Sequence, residues 1–137
     1  MNYFVDANIF LRYLTNDISE QAEAVERLLT RAAAGELQLV SNAMVMAELV
    51  WVMESAYRLP RSTIQEYVLI ILNTPGLTIP EAEMITQAIT WYADKNVDFI
   101  DAYNAAWMIG EDVLQIFTFD QKHFRRFSEV TVLLPSG

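Results

Sequence analysis

Four acidic residues stand where their neighbours give them little company. Asp6 ends the apolar run Tyr3-Phe4-Val5 and is followed one residue later by Asn8, in the stretch FVDANIF. Glu48 is the one charge in AMVMAELVWVM, Asp101 lies within FIDAYNAAWMI, and Asp120 follows IFTF. A carboxylate in apolar surroundings is costly unless it is paired or bound to a metal. Partners are scarce, because nine basic residues face eighteen acidic ones. A carboxylate cluster around a hard divalent cation accounts for all four acids together. Oxygen ligands favour Mg²⁺ or Mn²⁺ over Zn²⁺. Such a cation suits phosphodiester hydrolysis, where it activates water and offsets charge on the scissile phosphate.

Each acid also has a plainer reading. Asp6 can cap the helix that follows it, and Asp120 can cap a short helix over residues 121–126. Glu48 sits in mid-helix, where there is no end to cap, and the set of four favours a site. Polar residues around them could support it. Asn8 and Thr118 are placed to hydrogen-bond a ligand carboxylate or a water, with Thr118 on the same strand face as Asp120. Asp98 is three residues from Asp101 and shares its helix face, or else it N-caps that helix. Arg12, one turn beyond Asn8, can meet a phosphate or an acid on the surface. His123, the single histidine, reads as a partly exposed helix residue.

These residues need elements to hold them. Tyr3 to Val5 reads as a short buried strand leading into a helix through Ile9, Leu11 and Leu14. Asp17 and Glu20 suggest a capping box for a second helix with Ala22, Val25, Leu28, Leu29 and Ala32 inward, ended by Gly35. Leu37 to Val40 is a strand, and Ala43 to about Tyr57 a helix stopped before Pro60. Ser62 and Gln65 repeat the capping pattern for a helix to Leu72, with a turn at Thr74-Pro75-Gly76. Leu77 to Ile79 is a brief strand, and Pro80 suits the first turn of the next helix. A helix holds Phe99 to Ile109, and Gln115–Phe119 and Thr131–Leu134 are the last strands. Strands alternating with helices predict an α/β fold, a three-layer α/β/α sandwich with a central parallel sheet. Sites in such folds lie at the carboxyl ends of strands, where Asp6 and Asp120 fall.

Composition narrows the classes. A chain of 137 residues suits one domain. No apolar run reaches the roughly 18 residues of a membrane span, and the N-terminus shows no basic leader, so a cytoplasmic protein is expected. Absence of cysteine excludes disulfides and thiolate metal sites. The net charge of −9 argues against a nucleic-acid coat protein. Hydrophobic residues at 53% and a mean hydropathy of +0.19 suggest apolar surface covered by a partner or a second copy. Phosphate-loop, dinucleotide and serine-elbow motifs are missing.

The segments FVDANIFLRYLTND, MAELVWV, VDFIDAYNAA and TFDQKHF resemble, in order and spacing, the PIN-domain family, and most of all its VapC-type toxins of toxin–antitoxin modules. The resemblance spans the chain as a single PIN-like nuclease domain, 1–137. It implies an α/β/α sandwich and a Mg²⁺-dependent endoribonuclease, with Mn²⁺ able to substitute. It assigns Asp6, Glu48, Asp101 and Asp120 to the family's acid quartet, with Asp6 and Asp101 as the most direct metal ligands and Asn8 and Thr118 at supporting positions. It also implies an RNA substrate, a homodimer and a cognate antitoxin. Basic residues Arg12, Arg58, Arg61, Lys122, Arg125 and Arg126 would then line the RNA groove. Two competing readings are a haloacid-dehalogenase-like phosphatase with Asp6 as nucleophile, and a non-catalytic module whose acids capture a basic peptide.

Overall fold

A computed structural model describes residues 1–136, which fall into two compact units, Met1–Ala82 and the residues from Glu83 onward. In the first unit the elements are β1 (Asn2–Phe4), α1 (Ala7–Thr15), α2 (Ser19–Ala33), β2 (Gln38–Val40), α3 (Ala43–Ser55), α4 (Arg61–Leu72) and β3 (Leu77–Thr78). Strand β2 is central and pairs in parallel with both neighbours, Tyr3 opposite Leu39 and Leu39 opposite Leu77. The side chains of Phe10, Leu11, Leu39, Met46, Leu49, Met53, Ile64, Val68 and Ile71 are buried. Helix α1 packs on α2 and α3, and α3 on α4.

The second unit carries α5 (Ala82–Lys95, entered from the last residue of the first), α6 (Phe99–Gly110), β4 (Gln115–Phe117), α7 (Gln121–Phe124) and β5 (Thr131–Leu133). Here β4 and β5 pair in parallel, Ile116 opposite Val132. Ile85, Ile89, Tyr92, Val97, Phe99 and Phe124 are buried, and Phe127 stacks edge-on against Trp91 at 4.8 Å. Asn96 adopts a left-handed conformation that ends α5. Arg126 donates from Nη1 to the carbonyls of Lys95 and Asn96, satisfying acceptors at that helix end. The class is the expected one, α/β with every described pairing parallel and consistent with an α/β sandwich.

Turn chemistry explains much of the agreement. Gly35 ends α2 in a Schellman motif, with Glu36 N–H donating to Arg31 and Gly35 N–H to Ala32. At Thr74-Pro75-Gly76 the chain turns with Leu77 N–H donating to Thr74 and Gly76 at φ +81°. A Cβ on Gly76 would sit 2.4 Å from the Ala32 carbonyl oxygen, so only glycine fits there.

Several expectations need correcting. Neither capping box forms. Asp17 gives its carboxylate to side chains, and α2 starts at Ser19 behind an extended Ile18. Helix α4 begins at Arg61, directly after extended Pro60, which leaves Ser62 inside the first turn. Pro80 lies two residues ahead of α5, because Glu81 takes a left-handed conformation that a helix does not admit. Helix α3 stops at Ser55, β1 keeps its length but starts one residue earlier than expected, and the other strands are a residue or two shorter. Strand β1 is exposed along its length; burial begins with Val5, just beyond it.

Candidate metal centre

Asp6 stands two residues past the carboxyl end of β1, and the polypeptide is pinned at that point. Val5 N–H donates to the Val40 carbonyl at 2.8 Å, while the buried Ser41 hydroxyl donates to the Val5 carbonyl at 2.8 Å. Asp6 occupies the N-cap position of α1, yet its carboxylate makes no capping hydrogen bond. Asn8 follows in the first turn, exposed. Next along β2, Asn42 caps α3 by accepting from Val45 N–H at 3.0 Å. Glu48 lies on the outer face of α3, exposed together with Met44 and Trp51. Here the premise of burial fails for Glu48, and it fails for Asp6 and Asp120 as well. An apolar sequence stretch on a half-covered helix or at a strand end does not bury each of its members. Asp101 alone of the four is half-buried.

In the second unit the acids converge. Asp98 holds the N-cap position of α6, but its side chain makes no capping hydrogen bond. Asp101 lies one turn along the same helix. Asp120 follows β4 through a tight turn in which its N–H donates to Thr118 Oγ1 at 2.9 Å. Thr118 thus shapes the backbone that presents Asp120. Asp120 then caps α7, accepting from His123 N–H through Oδ1 at 3.5 Å, as its capping reading expected.

The residue that joins these acids is His123. Its Nδ1 lies 3.1 Å from Asp101 Oδ2, 3.2 Å from Asp120 Oδ2 and 4.0 Å from Asp98 Oδ2. His123 is a half-buried helix residue, as expected, but that description missed its partners. The available signal was spacing: three residues after Asp120 on a helix, it must share that residue's face.

Proximity has an electrostatic consequence. Burial pushes the Asp101 carboxyl above its ordinary value; neighbouring Asp120 and Asp98 push the same way, and His123 offsets part of it. Asp120 also feels burial, but a hydrogen bond from Asp101 and the His123 N–H and charge outweigh it, and its carboxyl is lowered. The two acids therefore shift in opposite directions, Asp101 up and Asp120 down. Split values of this kind are common at functional sites. Ligand atoms of Asp98, Asp101 and His123 all lie within 4.8 Å of one another, a donor set that fits a divalent cation.

Arg12 resolves towards the ion-paired reading. Its Nε donates to Gln21 Oε1 at 2.7 Å and Nη1 to Asp17 Oδ1 at 3.2 Å. Arg126 is likewise engaged at the end of α5. Among the expected groove cations, Arg58, Lys122 and Arg125 stand exposed, the last two beside His123 in the chain. No helix among the described residues is long and apolar enough to cross a membrane.

A family model described as the PIN domain matches residues 3–130. No curated protein and no solved structure gives a match.

Proposed function

The chain belongs to the PIN domain family, generally metal-dependent nucleases, and from that premise we propose that it is a Mg²⁺-dependent endoribonuclease, the toxin of a toxin–antitoxin pair. The observation that carries the reading is the convergence of Asp98, Asp101 and Asp120 on one point, the Nδ1 of His123, where crowding of the acids raises the Asp101 carboxyl. Asp101 and Asp120 hold the ion. The resemblance assigns Asp6 and Glu48 to the family's acid quartet as well. When bound, the ion supplies a Lewis acid that lowers the pKa of water and neutralises charge on the phosphate.

The protein's own residues do the rest. Thr118 fixes the turn that aims Asp120, and Ser41 fixes the backbone ahead of Asp6. Lys122 and Arg125 supply phosphate contacts that offset the acidic surface, so RNA affinity falls with added salt. Mn²⁺ substitutes for Mg²⁺. Exposed apolar side chains such as Met44, Trp51, Phe117 and Phe119 agree with a homodimer and with an antitoxin partner in a cytoplasmic setting.

The test incubates pure protein with structured and unstructured RNA in Mg²⁺ or Mn²⁺, and again with EDTA. Internal cuts should need the metal and vanish in Asp6→Asn. Cleavage that survives both EDTA and the substitution rejects the assignment.

A further inference from the structure

We propose that His123 Nδ1 is itself a ligand of the divalent cation, and that this nitrogen biases the centre towards Mn²⁺ over Mg²⁺. The inference rests on the metal-site reading above and departs from it in chemistry, since that reading supplies oxygen ligands alone.

Donor spacing carries the argument. Ligands on adjacent corners of an octahedron with bonds of about 2.1 Å stand roughly 3.0 Å apart, and opposite corners about 4.2 Å apart. Nδ1 lies 3.1 Å from Asp101 Oδ2 and 3.2 Å from Asp120 Oδ2, close to adjacent corners. Asp98 Oδ2 at 4.0 Å falls towards the longer separation, and its side chain, 67% exposed, is free to adjust. Two separate elements aim these oxygens, α6 for Asp101 and the end of β4 for Asp120, and both arrive at the same ring nitrogen. Helix α7 contributes the third direction. Asp120 accepts the His123 N–H through Oδ1, and this leaves Oδ2 facing the imidazole. The nitrogen thus stands at ligand-to-ligand spacing from two carboxylate oxygens, and ligand atoms of His123, Asp98 and Asp101 all lie within 4.8 Å of one another.

A nitrogen in the set changes which ion is preferred. Mg²⁺ holds to oxygen and to water, whereas imidazole suits the first-row transition ions. The competing role for the same geometry is an Nδ1–H donor shared between two carboxylates, outside the coordination shell.

The chain's single histidine makes a direct test possible. Full-length protein without an affinity tag is prepared with ¹⁵N-histidine or at natural abundance. Substoichiometric Mn²⁺ is then observed by pulsed electron paramagnetic resonance. Bound Mn²⁺ should show a nitrogen coupling that changes with the isotope, a result that needs no variant. In His123→Gln, checked for fold by circular dichroism, the coupling should disappear. Mn²⁺ affinity should fall by more than about 100-fold, beyond the loss for a residue that only orients a ligand, and Mg²⁺ affinity by less. Bound Mn²⁺ without nitrogen coupling, with unchanged affinity in His123→Gln, overturns the ligand role and leaves the metal centre standing. A folded wild-type protein that takes up neither ion overturns both readings.

Discussion

Two clusters in this molecule are built around aspartate, and they treat it in opposite ways. Asp17, in the first unit, is surrounded by donors. Tyr57 Oη donates to it at 2.9 Å, Thr15 Oγ1 at 3.0 Å and Arg12 Nη1 at 3.2 Å. The Tyr57 hydrogen bond above all, with the Thr15 hydrogen bond and the charge of Arg12, holds its carboxyl below the ordinary value against the opposing effect of burial. In the second unit, Asp101 has acids for neighbours and one imidazole for relief, and its carboxyl is raised. A fully donated carboxylate is a structural tie. A carboxylate crowded by others stays short of positive charge, which is how a cation site differs from a salt bridge.

The sharpest way to break this comparison is to neutralise each acid in turn. Asp101→Asn should reduce metal-dependent RNA cleavage by at least about 100-fold, since it removes a ligand and not merely a residue behind one. Asp17→Asn should leave cleavage within a few-fold of wild type. Similar losses in the two variants, measured as initial rates under saturating metal, would mean that the clusters do not differ in role.

Metal-induced stabilisation separates them next. An ion that binds only the assembled site at about a hundredfold excess over its dissociation constant adds roughly 2.7 kcal/mol. For a chain of this size that raises the melting temperature by on the order of 10 °C. Asp101→Asn should lose most of this shift and Asp17→Asn should keep it. A full Mg²⁺ shift in Asp101→Asn, followed by calorimetry, would assign Asp101 to the scaffold.

In the metal-free protein the two clusters should oppose each other along the pH axis. Asp101 has a raised folded value, so the folded state binds its proton more tightly than the unfolded chain. Stability from this group is present below the ordinary Asp range and is lost as pH rises through the folded value. Asp101→Asn should therefore melt a few degrees higher than wild type at neutral pH without metal, the trade of stability for function seen at many sites. A lower melting temperature there, with EDTA present, contradicts the crowding argument.

How much of this was legible in the sequence depends on which forces decide each feature. Periodic apolar residues located α1 and α2, because burial of one face is a long pattern that averages over local detail, whereas Pro80 and the Asp120 cap pointed to α5 and α7. Gly35 and Gly76 marked their turns because positive φ, and at Gly76 close approach to Ala32, leaves no other residue suitable. Capping failed at Asp17 because distant Tyr57 and nearby Arg12 compete for its oxygens, and such tertiary donors do not appear in a local motif. Burial of Glu48 failed for a related reason: an apolar helix can turn Met44 and Trp51 outward along with it. Asp101 and Asp120 stood out as types out of place, and Asp98 by its spacing from Asp101. His123 did not, since a lone histidine carries no pattern until a fold sets three carboxylates around it.

The smallest expected effect comes from Tyr57→Phe, which tests whether the Asp17 cluster is the plain tie described. The substitution keeps the ring and deletes one donor, leaving Arg12 and Thr15 in place. Asp17 then moves back towards its ordinary value, because the Tyr57 hydrogen bond is the largest cause of its depression. A lowered folded value adds stability above the ordinary Asp range and forfeits it as pH falls through the folded value. The loss in Tyr57→Phe should accordingly be a degree or two near neutral pH, in line with the small worth of exposed polar pairs. It should shrink towards nothing in acid, where Asp17 is protonated with or without the tyrosine hydroxyl. Metal affinity should not change, because the hydroxyl acts on Asp17 and on no residue of the Asp101 cluster. Melting curves across the acid range, with EDTA, read this directly. A deficit that stays constant with pH would assign the tyrosine to packing, and the hydrogen bond to Asp17 would then count for little.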